Sequence, residues 1–433
     1  MKRVLLLMLA LLAVSICARA EASTMVMVYM SGDTLESEDG GGSADLNEMI
    51  HAMQSGSDSV RVLAMTGGCS KWQMKAISSE AVSIHEIDED GLHTLAQLPK
   101  TSMGDPDTLA QFLSFGLREE ADRYVLVLWG HGDGPTGGVC SDPLFRGDTL
   151  MPEELTQALS ASLSIGQKLD AVVFDACVMG SLEIAQSIQS QASYMVASQE
   201  MTVGTGMRYD RWLQALIQDP DMETQQLCTA IAQTYVDDNN FGRFGQTCAI
   251  SVLDLRRTDA VTQAAERLYG ALLKRLESQP GDVFDRRGAL KSFGEFDGSG
   301  ATDQVDALLI AEAFEDLEPA SCRALCEAVK RMVVFNVSSD DMVEYANGLS
   351  LMMPYATGAW ANLVLQWYGP RAEDSDYAAL IVEMESRVKE NAPTPAVPRE
   401  EMWTGLLDSA SQPRDAAKLP DPAQMWEGLT DAR

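Results

Sequence analysis

The chain has 433 residues and carries 64 Asp and Glu against 32 Lys and Arg, a formal charge of −32. A field of that sign repels nucleic acid and anionic lipid and gathers cationic ligands, which argues against nucleic-acid binding. The length admits one large domain with additions, or two domains. Its eight cysteines are too sparse and irregular for a disulfide scaffold.

Residues 1–20 read as an export signal rather than as part of a fold. Lys2 and Arg3 supply the positive start, Val4 to Ile16 the apolar run, and Ala18-Arg19-Ala20 a small-x-small cleavage site. The mature protein is then secreted or extracytoplasmic and begins near Glu21. Removal of three basic residues with the leader takes the charge from −32 to −35. The apolar run falls short of the roughly 20 residues a spanning helix needs, so no membrane span is expected. Val14-Ser15-Ile16 before Cys17 makes a poor lipobox, which favours free secretion over a lipid anchor. An odd number of cysteines then remains, so at least one should be free or intermolecular. No histidine stands beside a cysteine pair, so no metal centre is expected.

Short apolar runs followed by amphipathic helical patterns predict an α/β fold with a mostly parallel sheet flanked by helices. In chain order the predicted strands are Met25 to Met30, Val60 to Met65, Tyr124 to Trp129, Ala171 to Phe174, Met195 to Ser198 and Ala249 to Leu253. Helices are predicted over Asp45 to Met53, Pro106 to Glu120, Pro152 to Leu163 and Ser181 to Gln191. After Leu255 the pattern turns to longer helices: Asp259 to Glu277, Thr302 to Glu315 and Ala320 to Met332. Apolar runs at Val333 to Val337 and Leu349 to Pro354 rejoin or flank the sheet. The organisation expected is a leader (1–20), a catalytic-type α/β unit (21–255), a helical region with returning strands (256–390) and a Pro-rich acidic tail (391–433).

Two strand ends carry the chemistry. The run Tyr124 to Trp129 stops abruptly in Gly130-His131-Gly132, and Leu169 to Phe174 stops in Asp175-Ala176-Cys177. Ligands of open α/β sheets sit at the C-terminal ends of the strands, and neighbouring strands lie about 4.8 Å apart, so both side chains can converge on one bond. A nearby imidazole and a helix N-terminus would favour the Cys177 thiolate, and His131 can protonate a leaving amine. The backbone N–H groups of Cys177 and Gly132 are candidate oxyanion donors. Alone, a buried cysteine after an apolar strand reads as packing, and Gly-His-Gly as a turn; their joint position at two strand ends argues for catalysis. His51, His85 and His93 lie in helical or acidic surroundings and compete poorly, as does Cys69.

These segments resemble the clostripain family of cysteine peptidases, similar in fold to caspases, gingipains and legumains. The likeness runs from Val28-Tyr29-Met30-Ser31-Gly32 and Asp45-Leu46-Asn47-Glu48-Met49 through Leu128-Trp129-Gly130-His131-Gly132 and Gly138-Val139-Cys140. It continues in Asp175-Ala176-Cys177-Val178-Met179-Gly180, Ala197-Ser198-Gln199-Glu200 and Ala346-Asn347-Gly348-Leu349-Ser350. The resemblance implies a caspase-like fold, a His131–Cys177 dyad, and Asp175 as the S1 carboxylate for Arg or Lys at P1 of protein or peptide substrates. Asp175 alternatively reads as a helix N-terminal carboxylate, with Glu200 and Asp210 the next S1 candidates. Calcium is required in part of the family, and Glu36 to Asp39 offers carboxylates without the spacing of a defined loop. The segment Gly134 to Met151 is rich in Gly and Pro and reads as an exposed loop, and Arg146, its only basic residue, is the expected self-cleavage point, before Gly147. The scaffold alone also fits a noncatalytic secreted binding protein, and a Cys-dependent transpeptidase shares the thioester chemistry. Gly130, where relatives carry Asp or Asn, and a loop 201–208 without the expected aromatic and acidic residues are departures that bear on P1 preference.

Overall fold

The computed structural model describes residues 23–241, 247–294, 302–355 and 374–391. The leader lies outside these residues, as does the tail beyond Asn391.

The first half of the chain alternates strands and helices as expected from its apolar runs. It starts with β1 (Thr24–Ser31), the short α1 (Asp33–Ser37), α2 (Gly41–Met53) and β2 (Val60–Gly67). A hairpin that the pattern did not mark follows, β3 (Ala81–Asp88) and β4 (Gly91–Pro99). Polar residues interrupt both strands and β4 is largely solvent-facing, so the apolar signal is diluted. Next come α3 (Pro106–Gly116), β5 (Arg123–Trp129), the one-turn α4 (Gly134–Gly137), β6 (Val139–Asp142), β7 (Asp148–Leu150), α5 (Pro152–Ser162), β8 (Leu169–Asp175), α6 (Leu182–Ile188) and β9 (Ala192–Ala197). Asp105 caps α3 through the Asp107 N–H at 2.8 Å, with Pro106 at the first helical position.

With two later strands, β10 (Ala249–Asp254) and β12 (Val333–Ser338), nine strands form one sheet in the order β12-β10-β9-β8-β5-β1-β2-β3-β4. The five at its centre, β9, β8, β5, β1 and β2, run parallel, and the outer strands are antiparallel. Central strands are apolar on both faces because helices cover both. Met25, Met27 and Tyr29 enter one core with α3, α5 and α6, while Val26, Val28 and Met30 enter the other with α2. On that second face lie α7 (Tyr209–Gln218) and α8 (Thr224–Phe241), two helices between β9 and β10 (Ala249–Asp254) that the sequence pattern did not mark.

Beyond β10 the chain forms α9 (Thr258–Ser278), α10 (Pro280–Gly288), β11 (Gln304–Asp306), α11 (Ala307–Ala313), α12 (Pro319–Met332), β12 (Val333–Ser338), β13 (Ser350–Met352) and α13 (Asp376–Asn391). The helix expected from Thr302 is a strand as far as Asp306. That aspartate then caps α11, accepting from the N–H of Leu308 at 2.9 Å and of Leu309 at 3.1 Å. Of the two returning runs, Val333 to Val337 is the edge strand β12 of the main sheet, and Leu349 to Pro354 contains β13, which pairs with β11.

Polar side chains tie this region to the loop after β9. Gln199 donates to Asp306 Oδ2 at 3.0 Å and to Ser350 Oγ at 3.1 Å, and accepts from the Gly348 N–H at 2.5 Å. The Asn347-Gly348 and Ser198-Gln199 motifs are thus two halves of one buried network. Deeper still, Arg287 and Asp303 form an ion pair at 3.5 Å with each side chain 1% exposed. The guanidinium also donates to Met353 O at 2.5 Å, Ser292 Oγ at 2.6 Å and Leu290 O at 3.2 Å. Removing one partner strands a charge in a dry interior. Arg287→Ala should therefore lower the unfolding free energy by about 3–5 kcal/mol in urea titration. A midpoint indistinguishable from wild type would contradict this.

Candidate active site

The C-terminal ends of β1, β5, β8 and β9 lie side by side, and each delivers one group to the same edge of the sheet. From β5, with Trp129 in register with Asp175 of β8, the chain continues to His131; from β8 it continues to Cys177. The Gly130 N–H donates to Asp175 O at 3.2 Å, which carries the parallel pairing into the two loops. The neighbourhood inferred from two strand endings is therefore present.

The loops pack main chain on main chain. A Cβ added at Gly132 would lie 2.9 Å from Cys177 N and closer still to Cys177 O, so only glycine lets the His131 loop approach this far. That contact sets the main chains of Gly132 and Cys177, whose N–H groups are the expected oxyanion donors, against each other. The His131 loop is pinned from the other side by β6, where Cys140 N donates to His131 O at 2.9 Å and Asp133 N donates to Gly138 O at 2.9 Å. Cys140 is fully buried, its thiol pushed up beyond the ordinary range by desolvation. Its role is to hold the histidine loop.

Two residues that sequence reasoning missed contact the side chains of His131 and Cys177. Thr34, at the start of α1 beyond β1, lies with Oγ1 3.1 Å from His131 Nε2. Thr202, beyond β9, donates its N–H to Cys177 Sγ at 3.2 Å and has its hydroxyl 3.2 Å from the same sulfur. The available signal was positional: Ser31-Gly32 and Ser198 to Glu200 end neighbouring parallel strands. Next to the thiol, Val178 adopts φ +52, a conformation that costs a β-branched residue energy and marks a forced turn. Its N–H donates to Glu200 O at 3.1 Å, and its carbonyl accepts from Gln304 Nε2 at 3.3 Å.

The electrostatics differ from the thiolate expectation. The helix after Cys177 begins only at Leu182 and is capped by Ser181, which accepts from the Ile184 N–H at 3.3 Å, so its N-terminus serves its own cap. Burial raises the Cys177 thiol above its usual range against the help of Thr202, and burial lowers His131 against the pull of Asp33 and Asp39. Both directions favour a neutral thiol beside a neutral imidazole at rest.

Asp175 is 5% exposed, and its Oδ2 accepts from Tyr209 Oη at 2.9 Å and Met207 N at 3.3 Å. It caps no helix; burial raises it to about 6. The other S1 candidates are committed elsewhere. Glu200 accepts from Gly294 N at 2.8 Å and Met201 N at 2.9 Å, and Asp210 pairs with Arg208 at 2.8 Å. The competing cysteine and histidine are structural. Cys69 is buried with its thiol pushed up to about 12, and His85 is lowered to about 4 between Thr66 and Thr94. All seven cysteines among the described residues are free.

Arg146 sits at φ +66 in the turn between β6 and β7, within the exposed run 143–148. The rest of 134–151, expected as an exposed loop, is largely buried against the His131 loop. Glu36 faces inward, where its carboxylate accepts from Ser43 N at 2.7 Å and Gln73 N at 2.5 Å. Among the described residues no group of three or more His, Cys, Asp or Glu is arranged to hold a metal ion, and no helix is long and apolar enough to cross a membrane.

The model of the clostripain family matches residues 28–379. The chain belongs to the clostripain family. It is 23% identical over 344 residues to clostripain of Hathewaya histolytica, an alignment spanning 64% of each chain. Two solved structures each match at a TM-score of 0.61 and 19% identity. One is a secreted C11 cysteine protease from Bacteroides thetaiotaomicron bound to an irreversible peptide inhibitor (80% of this chain, 98% of that one). The other is an inactive zymogen C11 protease from Parabacteroides distasonis (83% and 98%). The caspase-like, mostly parallel sheet flanked by helices is thus the fold of this family member.

A neutral resting thiol has a kinetic signature. Alkylation of Cys177 by iodoacetamide should rise with pH through and beyond about 8.5, the ordinary value of a free thiol. A rate already at its plateau below pH 7 would instead mean a stored thiolate.

Proposed function

We propose that the protein is an exported cysteine endopeptidase that cleaves after Arg or Lys, with Cys177 as nucleophile and His131 as acid and base. The observation that carries this reading is the adjacency of the two strand-end loops, supported by membership of the clostripain family. Cys177 Sγ attacks the scissile carbonyl carbon as its proton passes towards the imidazole, forming an S–C bond and an oxyanion that faces the N–H groups of Gly132 and Cys177. Collapse breaks the C–N bond, and the leaving amine departs with the proton held by His131. Water then attacks the thioester with His131 as base, giving the acid product and restoring the thiol. Thr34 and Thr202 hold the ring and the sulfur while this happens.

Asp175, two residues before the nucleophile and buried, is the carboxylate suited to a P1 guanidinium or ammonium. The acidic surface gathers cationic peptides towards it. Cys177→Ala and His131→Ala should each abolish cleavage of basic peptides. Asp175→Asn should cost roughly 30-fold to several thousand-fold in kcat/KM on P1-Arg substrates, the loss of about 2–5 kcal/mol for an unpaired desolvated charge. Labelling of Cys177 in that variant by a small uncharged thiol reagent should stay within a few-fold of wild type. Near-normal hydrolysis by Cys177→Ala would leave only a scaffold without this chemistry. Equal losses in both Asp175→Asn assays would make Asp175 a dyad-orienting group.

The protein also processes itself after Arg146, on the same reading. The Arg146–Gly147 bond lies in an exposed turn, the kind of segment where nicking concentrates. N-terminal sequencing of the mature fragments should find Gly147 in wild type and no cut in Arg146→Ala or Cys177→Ala. A Cys177→Ala protein nicked at the same bond, with no other protease present, would contradict self-processing.

A further inference from the structure

Beside Asp175 stands a second carboxylate that the dyad does not use. Asp45 projects from the first turns of α2 and is 3% exposed. Its Oδ2 accepts from Trp129 Nε1 at 2.6 Å. Gly206, at φ +64, marks the gap between the two acids: a Cβ there would lie 2.9 Å from Asp45 Oδ2 and 3.4 Å from Asp175 Oδ2. Each carboxylate is anchored by one aromatic donor through Oδ2, Trp129 for Asp45 and Tyr209 for Asp175, and the Oδ1 atoms receive no hydrogen bond from the described residues.

Arg208 acts on Asp45 through space but makes its ion pairs with other acids. Arg208 pairs with Glu48 at 3.2 Å, Asp210 at 2.8 Å and Asp238 at 2.7 Å. The two nearly buried carboxylates repel each other, and burial with that repulsion raises Asp45 well above the ordinary carboxylate range against the pull of Trp129 and Arg208. The arrangement is complementary to a positive group that enters from outside. The loop 201–207 that walls it contains no acidic residue, and its glycine keeps the space over both acids open.

We propose that Asp45 is a second specificity-determining residue, so that a P1 arginine is held between Asp45 and Asp175. The inference rests on the reading of Asp175 as the S1 anion. A guanidinium presents five N–H donors in a planar fork and meets two carboxylates at once, whereas an ammonium is a point charge satisfied by one. The pair therefore selects arginine over lysine, which a single carboxylate does not do strongly.

The test compares kcat/KM on two peptides differing only in Arg or Lys at P1, for wild type, Asp45→Asn, Asp45→Glu and Asp175→Asn, with inhibition by benzamidine measured alongside. Asp45→Asn should lose about 10- to 100-fold on the Arg peptide, no more than a few-fold on the Lys peptide, and about tenfold in benzamidine inhibition. Asp45→Glu, which keeps the charge but moves it by one methylene, should lower the Arg-to-Lys ratio while retaining benzamidine inhibition within a few-fold. Labelling of Cys177 should be unchanged in both. Equal losses on Arg, Lys and thiol labelling would reduce Asp45 to a support for Trp129 and overturn the proposal. An unchanged Arg-to-Lys ratio in both Asp45 variants would overturn it too, while a large loss in Asp175→Asn would leave the S1 reading standing. Retained Arg cleavage in Asp175→Asn would instead remove the reading beneath it.

Discussion

The constraint on which the rest depends is the parallel register between β5 and β8. Trp129 lies opposite Asp175, so the next residues of each strand leave the sheet at the same height. In a parallel pair every strand exits at one edge, and neighbours are about 4.8 Å apart, closer than the reach of a histidine and a cysteine side chain combined. A shift by one residue would turn each side chain to the other face and separate the pair. The register is enforced by apolar burial on both faces of β5 and β8, which α3, α5 and α6 cover on one side and α2, α7 and α8 on the other. Around this pair the flanking strands β1 and β9 supply Thr34 and Thr202 by the same rule.

Electrostatically the site separates two tasks. Burial raises the Cys177 thiol and lowers the His131 imidazole, so both lean towards neutral at rest; on the proposed mechanism charge develops only as bonds change, and the backbone donors meet it then. A few residues away, Asp45 is held by Trp129 alone and Asp175 by Tyr209 and one backbone N–H, sparse pairing for buried acids. Unfavourable groups retained beside a reactive centre are expected where function needs them. The network of Gln199, Asp306, Asn347 and Ser350 buttresses the loop after β9 from the C-terminal half. The later helices and returning strands therefore support the site rather than stand apart from it.

Much of this was legible in the sequence because buried parallel strands leave near-continuous apolar runs. All six predicted strands are present, and the two Gly- and Cys-bearing endings fall beside each other. Less legible were elements whose pattern is mixed. The hairpin β3–β4 has a mixed polar pattern and a solvent-facing edge strand, and the run from Thr302 looks helical until Asp306 caps a later start. Side-chain roles set by packing left no sequence signal. Asp45 reads as one acid among several in a helix, and only the fold brings it over Gly206 to face Asp175. The helix expected to begin beside Cys177 starts only at Leu182 with Ser181 as its cap, a detail of capping that spacing alone does not settle.

The central claim is that one thiol, Cys177, attacks a peptide whose P1 cation is bound by acids beside it. The most direct measurement is mass-spectrometric mapping of the covalent adduct formed with an irreversible peptidyl ketone carrying arginine at P1, in competition with the same reagent carrying aspartate. A single adduct on Cys177, formed from the arginine reagent in large excess, is expected. An adduct on Cys69 or another cysteine, or equal labelling by the aspartate reagent, would contradict it.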